Sequence, residues 1–285
     1  MVREIWTLFY KGEDRVMKYL VALFLLLAPF SEVNASEHAY GGIPSNGAYL
    51  ERQGYIIQFD ARRKTPSWVA YHVKPENLST PDRDEHEWGK FRNDPDIVGE
   101  ATDEDYKNQF STWRNYAKGH LAPYFISGGD RDGDGTDAVH GDEDDAKTVY
   151  EIMYMSNMAP QHHYNFNGSG GLWYKLETYV RENLLKGQEK EVWVFAGCIF
   201  GAGSYDKIGN GVEVPPMFYK IIITEEDNKP KILAFLLPHQ IKKHGDIQDF
   251  LVSVNLIEAL TGLDFFPELN DEVMERKSTW ENWKN

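Results

Sequence analysis

The residues able to do chemistry fall in a few short stretches. His120 follows Gly119. A neutral imidazole with an ordinary pKa near ~6.5 can take a proton from water at neutral pH, and a glycine beside it permits close approach of backbone or substrate. Trp173, Glu177 and Arg181 step by four, which sets an indole, a carboxylate and a guanidinium along one face of a helix. Asn167 stands just before that helix, where a carboxamide oxygen can meet a cation. A separate acidic cluster, Asp130-Arg131-Asp132-Gly133-Asp134-Gly135, carries the D-x-D-x-D-G start of a calcium loop. An EF-hand places Glu at the twelfth position, and here that position is Gly141, so Asp142, Glu143, Asp144 or Asp145 is left to close a non-standard Ca2+ cage. The alternative is a solvated acidic loop. His162 and His163 have no cysteine or paired carboxylate nearby and are read as loop residues.

The elements that must position these groups are legible from periodicity. Ser156 to Arg181 reads as a strand end, a polar loop and a helix whose apolar stripe is Leu172, Leu176, Tyr179, Val180 and Leu184. Gly54 to Phe59 and Ser67 to Val73 predict a hairpin around Arg62-Arg63-Lys64-Thr65-Pro66. Val149 to Met155, Glu191 to Phe200, Phe218 to Thr224 and Ile232 to Leu237 predict further strands. Val252 to Thr261 predicts a helix closed by Gly262, and the polar tail from Glu268, with Trp280 and Trp283, a last helix. With no internal repeat and no dividing linker, the expectation is one α+β domain over 36–285 with a central, mainly antiparallel sheet flanked by helices, interrupted by an acidic Gly-rich insertion at 127–147.

Lys118-Gly119-His120-Leu121-Ala122-Pro123 and the block from Ser156 to Arg181 together resemble the DNA/RNA non-specific endonuclease family. That family has the ββα-metal (His-Me finger) nuclease fold and includes secreted bacterial sugar-non-specific nucleases and mitochondrial endonuclease G. Weaker matches lie at Trp68-Val69-Ala70-Tyr71, Val192 to Gly197, Val214 to Lys220 and Leu260 to Pro267, so the resemblance runs from Tyr55 to Pro267. It implies hydrolysis of DNA and RNA phosphodiesters to 5′-phosphate products, with one Mg2+ (or Mn2+) and recognition through the phosphate backbone. Carried onto this chain, it makes His120 the general base and Asn167 the metal ligand, with Asn165 a competitor because the spacing from Gln161 differs by one residue. Glu177 would orient water around the cation, and Arg181 would bind the scissile phosphate. Lys118, Asn157 and Gln161 would serve the substrate side, the last two by bracing the loop. The family's further phosphate-binding arginine corresponds to Arg83 or Arg92. Lys118 stands where the family most often has arginine and keeps the charge without the bidentate fork, and Ala117 replaces its usual Asp.

The bulk numbers fit one large folded domain, but the charge sits awkwardly with a polyanion substrate, and with Ala117 it makes a non-catalytic binder conceivable. The chain has 285 residues, 41% of them hydrophobic and 14% aromatic, enough for a sizeable core. Its formal net charge is −15, unusual for a protein of nucleic acids. Asp130 to Asp145 alone holds eight acids against one base. Lys18, the apolar run Tyr19 to Phe30 and the small residues of Val33-Asn34-Ala35 form a signal-peptide pattern over residues 1–35, with Met17 as the expected start. The mature protein is therefore expected to be secreted or periplasmic and to have no membrane span. Cys198, the single cysteine, lies in an apolar run and reads as a small buried hydrophobe. Two other classes compete: a catalytically impaired nucleic-acid-binding protein of the same fold, and a calcium-dependent extracellular interaction module.

Overall fold

Strand periodicity decides the architecture. In the computed structural model, which describes residues 36–45, 47–83, 89–109, 115–239, 245–269 and 280–283, a seven-stranded antiparallel sheet forms the frame. Its strands are β1 (Leu50–Glu51), β2 (Ile56–Asp60), β3 (Thr65–Val73), β6 (Val192–Ile199), β9 (Met217–Glu226), β10 (Lys229–Pro238) and β11 (Leu251–Val252), hydrogen-bonded in that order. The expected hairpin and the three later strands are all present. Alternate residues feed two cores. Val69, Tyr71 and Val73 of β3, Val194 and Ala196 of β6, Phe218 and Ile222 of β9 and Leu233 and Phe235 of β10 face one core. Trp68, Ala70, Phe195, Tyr219, Ile221, Ile223 and Ala234 face the other.

Each face is covered. On the first lies the helix α2 (Leu172–Thr178), which continues in π-helical turns through Tyr179–Gly187 and buries Leu172, Leu176, Val180 and Leu184 as its stripe required. On the second lies α3 (Val254–Thr261) with Val254, Ile257, Phe265 and Phe266. The helix α3 is capped by Ser253, whose hydroxyl accepts from the Leu256 N–H, and it ends on Gly262 at φ 73°, as expected. Two-stranded pairs stand apart from the large sheet: β4 (Tyr116–His120) with β5 (Met158–His162), and β7 (Lys207–Ile208) with β8 (Val212–Glu213).

One element differs from expectation. Val149 to Met155 is not a strand; most of it is the end of the helix α1 (Glu143–Ile152). Asp142 accepts from the Asp144 N–H as N-cap, and Glu143, Asp144 and Asp145 form an acidic first turn that suits the helix dipole. Ala146, Val149 and Ile152, three apart, are the buried face. The acidic residues read as loop are thus a helix start, and the second half of the 127–147 insertion is helical. Residues 36–285 gather as one unit. Residues 1–35, where a signal peptide is expected, and 270–279 of the tail lie outside the described residues; Trp280–Trp283 forms a single 3-10 turn, with Trp280 4.7 Å from the Tyr179 ring.

Candidate active site

The pair β4–β5, the turn after it and the helix α2 carry His120, Asn167 and Glu177. His120 ends β4 opposite Met158, and Gly119 is opposite Ala159. Gly119 has no room for a side chain, because a Cβ there would sit 2.2 Å from Cδ of Gln161. The group that approaches this glycine is therefore Gln161 itself, fully buried. The strand must turn after His120, and Asn157 fixes that turn. Its Oδ1 accepts from the Ala122 N–H (2.9 Å), and its Nδ2 donates to Ala122 O (2.9 Å) and Ile152 O (3.0 Å). Its backbone carbonyl accepts from the Leu121 N–H at 3.0 Å. With no exposed surface and these bonds made, Asn157 braces the histidine turn.

Beyond β5 the chain enters a π-type turn, His163–Asn167. His162 starts it, its Nδ1 accepting from the Asn165 N–H at 3.2 Å. The His162 N–H donates to His239 Nε2 (2.8 Å), and His239 Nδ1 donates in turn to Pro215 O (2.7 Å). Burial lowers the His239 pKa to about 4, so the ring is neutral and its tautomer is fixed by these two bonds. Phe166 is the anchor of the turn, buried between Trp173 (5.8 Å) and Phe218 (5.0 Å). Its neighbour Asn167 is left partly exposed, and among the described residues its carboxamide has no hydrogen-bond partner, whereas Asn165 is engaged. His163 lies in the turn, as read from sequence, whereas His162 is the last residue of β5, paired with Tyr116, because the strand runs further than its polar sequence suggested.

The helix α2 turns Trp173 and Glu177 toward β9. There Lys220, with no exposed surface, places Nζ 3.7 Å from Glu177 Oε1 and 3.8 Å from the centre of the Trp173 ring. Burial raises the Glu177 pKa; Lys220 is the strongest influence holding it down, followed by the Trp173 indole, Arg181 and Arg83. Burial likewise lowers Lys220 to about 8, against the pull of Glu177. His120 is half-buried, its ring 5.7 Å from Phe91, and its Nε2 is enclosed without a partner. Desolvation, and then the Arg83 charge, lower its pKa well below the usual histidine value. Arg83 rests 4.1 Å over the Tyr124 ring, in the turn that follows His120. One guanidinium thus acts on both the imidazole and the helix carboxylate.

Comparison with known proteins settles the family. The profile described as DNA/RNA non-specific endonuclease matches residues 34–272. The chain belongs to that family. It is 31% identical over 235 residues to Nuclease C1 of Cunninghamella echinulata var. echinulata, covering 78% of this chain and 84% of that one. It is 31% identical to the mitochondrial nuclease EXOG of Danio rerio, over 81% of this chain but only 64% of the relative's length. It is 28% identical to human mitochondrial endonuclease G, over 82% and 74%. The fold resembles endonuclease G as solved in the EndoG/EndoGI complex, with a TM-score of 0.66, 25% identity, and 85% of this chain and 96% of that one covered. The α+β, ββα-metal architecture expected from sequence is the one found.

The cations named from sequence divide clearly. Arg83 rests over Tyr124, in the turn after His120, whereas Arg92 lies 4.0 Å from the Tyr150 ring, and its main chain bridges to Tyr154. Arg181 does not pair with Glu177 on its own helix; its Nε donates to Glu182 Oε1 at 2.7 Å, and its guanidinium remains partly exposed, 5.5 Å from Phe125. Lys118 pairs with Asp103 and lies 4.2 Å over the Phe91 ring, beside His120. Lys220 was missed by sequence reasoning. Its signal is a lone lysine inside Phe218-Tyr219-Lys220-Ile221-Ile222-Ile223, a run otherwise fit for a sheet buried on both faces.

Proposed function

We propose that this protein is a sugar-non-specific endonuclease that hydrolyses DNA and RNA phosphodiesters to 5′-phosphate products. The observation that carries the reading is the family match over residues 34–272, and it is supported by Arg83, whose charge acts on both His120 and Glu177. His120 is neutral at physiological pH and takes the proton of the attacking water; the lowered pKa keeps it a base down into the acid range. Arg83 and Arg181 meet the non-bridging oxygens as negative charge builds on the phosphoryl group.

The residues present fit a hydrated divalent cation. Among the described residues no three His, Cys, Asp or Glu ligands converge here, and what the site offers is the carboxamide of Asn167 with the carboxylate of Glu177, whose buried Oε1 makes no hydrogen bond and has Lys220 Nζ 3.7 Å away. An all-oxygen set of one protein ligand plus water suits Mg2+ or Mn2+. Asn167 would hold it, and when bound the cation supplies charge for the phosphate and the departing 3′ oxygen. Glu177 accepts hydrogen bonds from the surrounding water and orients it, which requires its ionised form. Eight of the chain's 45 acids lie in the 130–145 segment. We further read residues 17–35 as an export signal, with the mature enzyme secreted or periplasmic; N-terminal sequencing of secreted protein would find a start near Ser36.

The test is an assay of purified protein on plasmid DNA and on RNA, with Mg2+ and with chelator. Both substrates are cut with Mg2+ and neither with chelator. His120→Ala abolishes turnover by roughly 10³-fold or more while the melting temperature stays within a few degrees. Wild-type rates in that variant remove the assignment. A gel shift without cleavage selects the impaired nucleic-acid-binding reading instead.

A further inference from the structure

The acidic insertion is not used by the chemistry above. Carboxylate oxygens of Asp130, Asp132 and Asp134 lie within 4.8 Å of one another. The loop is shaped around Asp130, which accepts from Gly133 N (2.7 Å) and Gly135 N (2.8 Å), with both glycines at positive φ. Exposed acids are common, and a cluster of three shows nothing by itself. The decisive group is Asp145. It is 1% exposed and sits in the first turn of α1. Its Oδ1 accepts from the N–H of Arg131, the residue between the first two aspartates, at 3.1 Å. Its Oδ2 is enclosed and has no partner. Asp142, Asp132 and Asp130 all act on this carboxyl and, with burial as the larger cause, raise its pKa. A buried carboxylate oxygen without a donor, held against like charges, is costly unless a cation completes it.

We propose that Asp130, Asp132, Asp134 and Asp145 form a structural Ca2+ site. The first three occupy the first, third and fifth places of a calcium loop, Gly135 the sixth, and Thr136 the seventh, whose main-chain carbonyl serves as a ligand in such loops. The closing acid comes late. The 3-10 turn Ala138–His140 and Gly141 intervene, so the exit helix starts at Glu143 and delivers Asp145 in place of the twelfth-position Glu. Because Oδ1 is taken by Arg131, Asp145 closes the cage through one oxygen. The Arg131 guanidinium donates to Ile126 O, and its charge also acts on the Asp145 carboxyl, so a bound cation adds to a charge already present. Four carboxylates and a main-chain carbonyl make a hard, flexible oxygen set that favours Ca2+ over the smaller, octahedral Mg2+.

The site would stiffen the support of the catalytic residues. Gly129 N donates to Ser79 O (3.0 Å), and Ser79 Oγ donates to Asp137 Oδ2 (3.2 Å), in the segment that leads to Arg83. Ser127 N donates to Tyr124 O (3.1 Å), and Tyr124 carries the Arg83 guanidinium.

The experiment is calorimetric titration of chelator-stripped, full-length mature protein with CaCl2 in excess Mg2+, so that the nuclease cation is already supplied. One Ca2+ binds per chain, and at about 100 times Kd the melting temperature rises by roughly 5–10 °C. Asp145→Asn and Asp132→Asn each weaken binding at least tenfold. Asp132 is exposed, so its variant tests the site even if the buried substitution disturbs folding. Absence of saturable heat and of any melting shift overturns the proposal. So does binding that survives both substitutions, which places Ca2+ elsewhere. Because these readouts do not involve turnover, the site stands or falls separately from the nuclease reading.

Discussion

Lys220→Met isolates what the buried ammonium does for the helix carboxylate. Methionine is similar in length and fits an apolar strand, so the change removes chiefly charge. Two unit charges 3.7 Å apart, the observed separation of Nζ and Glu177 Oε1, interact by roughly 4–5 kcal/mol at an effective dielectric of about 20. After substitution burial still favours the protonated carboxyl, and only Trp173, Arg181 and Arg83 oppose it. Glu177 then carries its proton to higher pH. If ionised Glu177 orients water at the site, turnover near pH 7 falls by roughly 10²–10³-fold, at about 1.4 kcal/mol per tenfold.

The assay is plasmid cleavage at saturating Mg2+ from about pH 5 to about pH 9, with circular dichroism to follow the fold. The acid limb of the rate profile should move to higher pH, and part of the lost rate should return as the pH is raised. His120 does not mask this, because its pKa is already held well below the usual value. A uniform loss at every pH with the limb unmoved would mean that Lys220 only fills space. A rate within threefold of wild type would refute the reasoning altogether, since the carboxylate would then need no buried partner.

The same pair leaves a signature in stability. Lys220 has a folded pKa of about 8, below its unfolded value of about 10.5, so between them the unfolded chain binds the extra proton. Stability from this group therefore increases as the pH rises from about 8 to about 10, by up to about 3 kcal/mol, before buried tyrosines such as Tyr71 and Tyr219 reverse the trend. Urea denaturation over that window should show the increase in wild type and not in Lys220→Met. Asn157→Leu keeps the volume but strands Ala122 N, Ala122 O and Ile152 O. It should cost about 2–4 kcal/mol in urea and lower activity through the displaced histidine turn; an unchanged midpoint would show that water replaces the amide.

The parts of this molecule that were legible in its sequence are those governed by local period. The hairpin, the later strands and the stripe of α2 follow from alternation and helical spacing, because one buried face is enough to specify each. Val149 to Met155 misled because its apolar residues serve both periods, and the arbiter was the N-cap and acidic first turn before it. Arg83 and Arg92 could not be told apart, since each sits in a polar stretch and only long-range packing decides which reaches His120. Lys220 differs again. Its oddity was visible, yet its purpose depends on a helix laid across the sheet so that Glu177 comes down on it. Spacing can put a carboxylate on a helix face, but it does not set the charge that carboxylate carries. The ionisation of the proposed water-orienting group is set by burial and, against it, by a lysine on the buried strand β9, so the sheet belongs to the chemistry as much as to the scaffold.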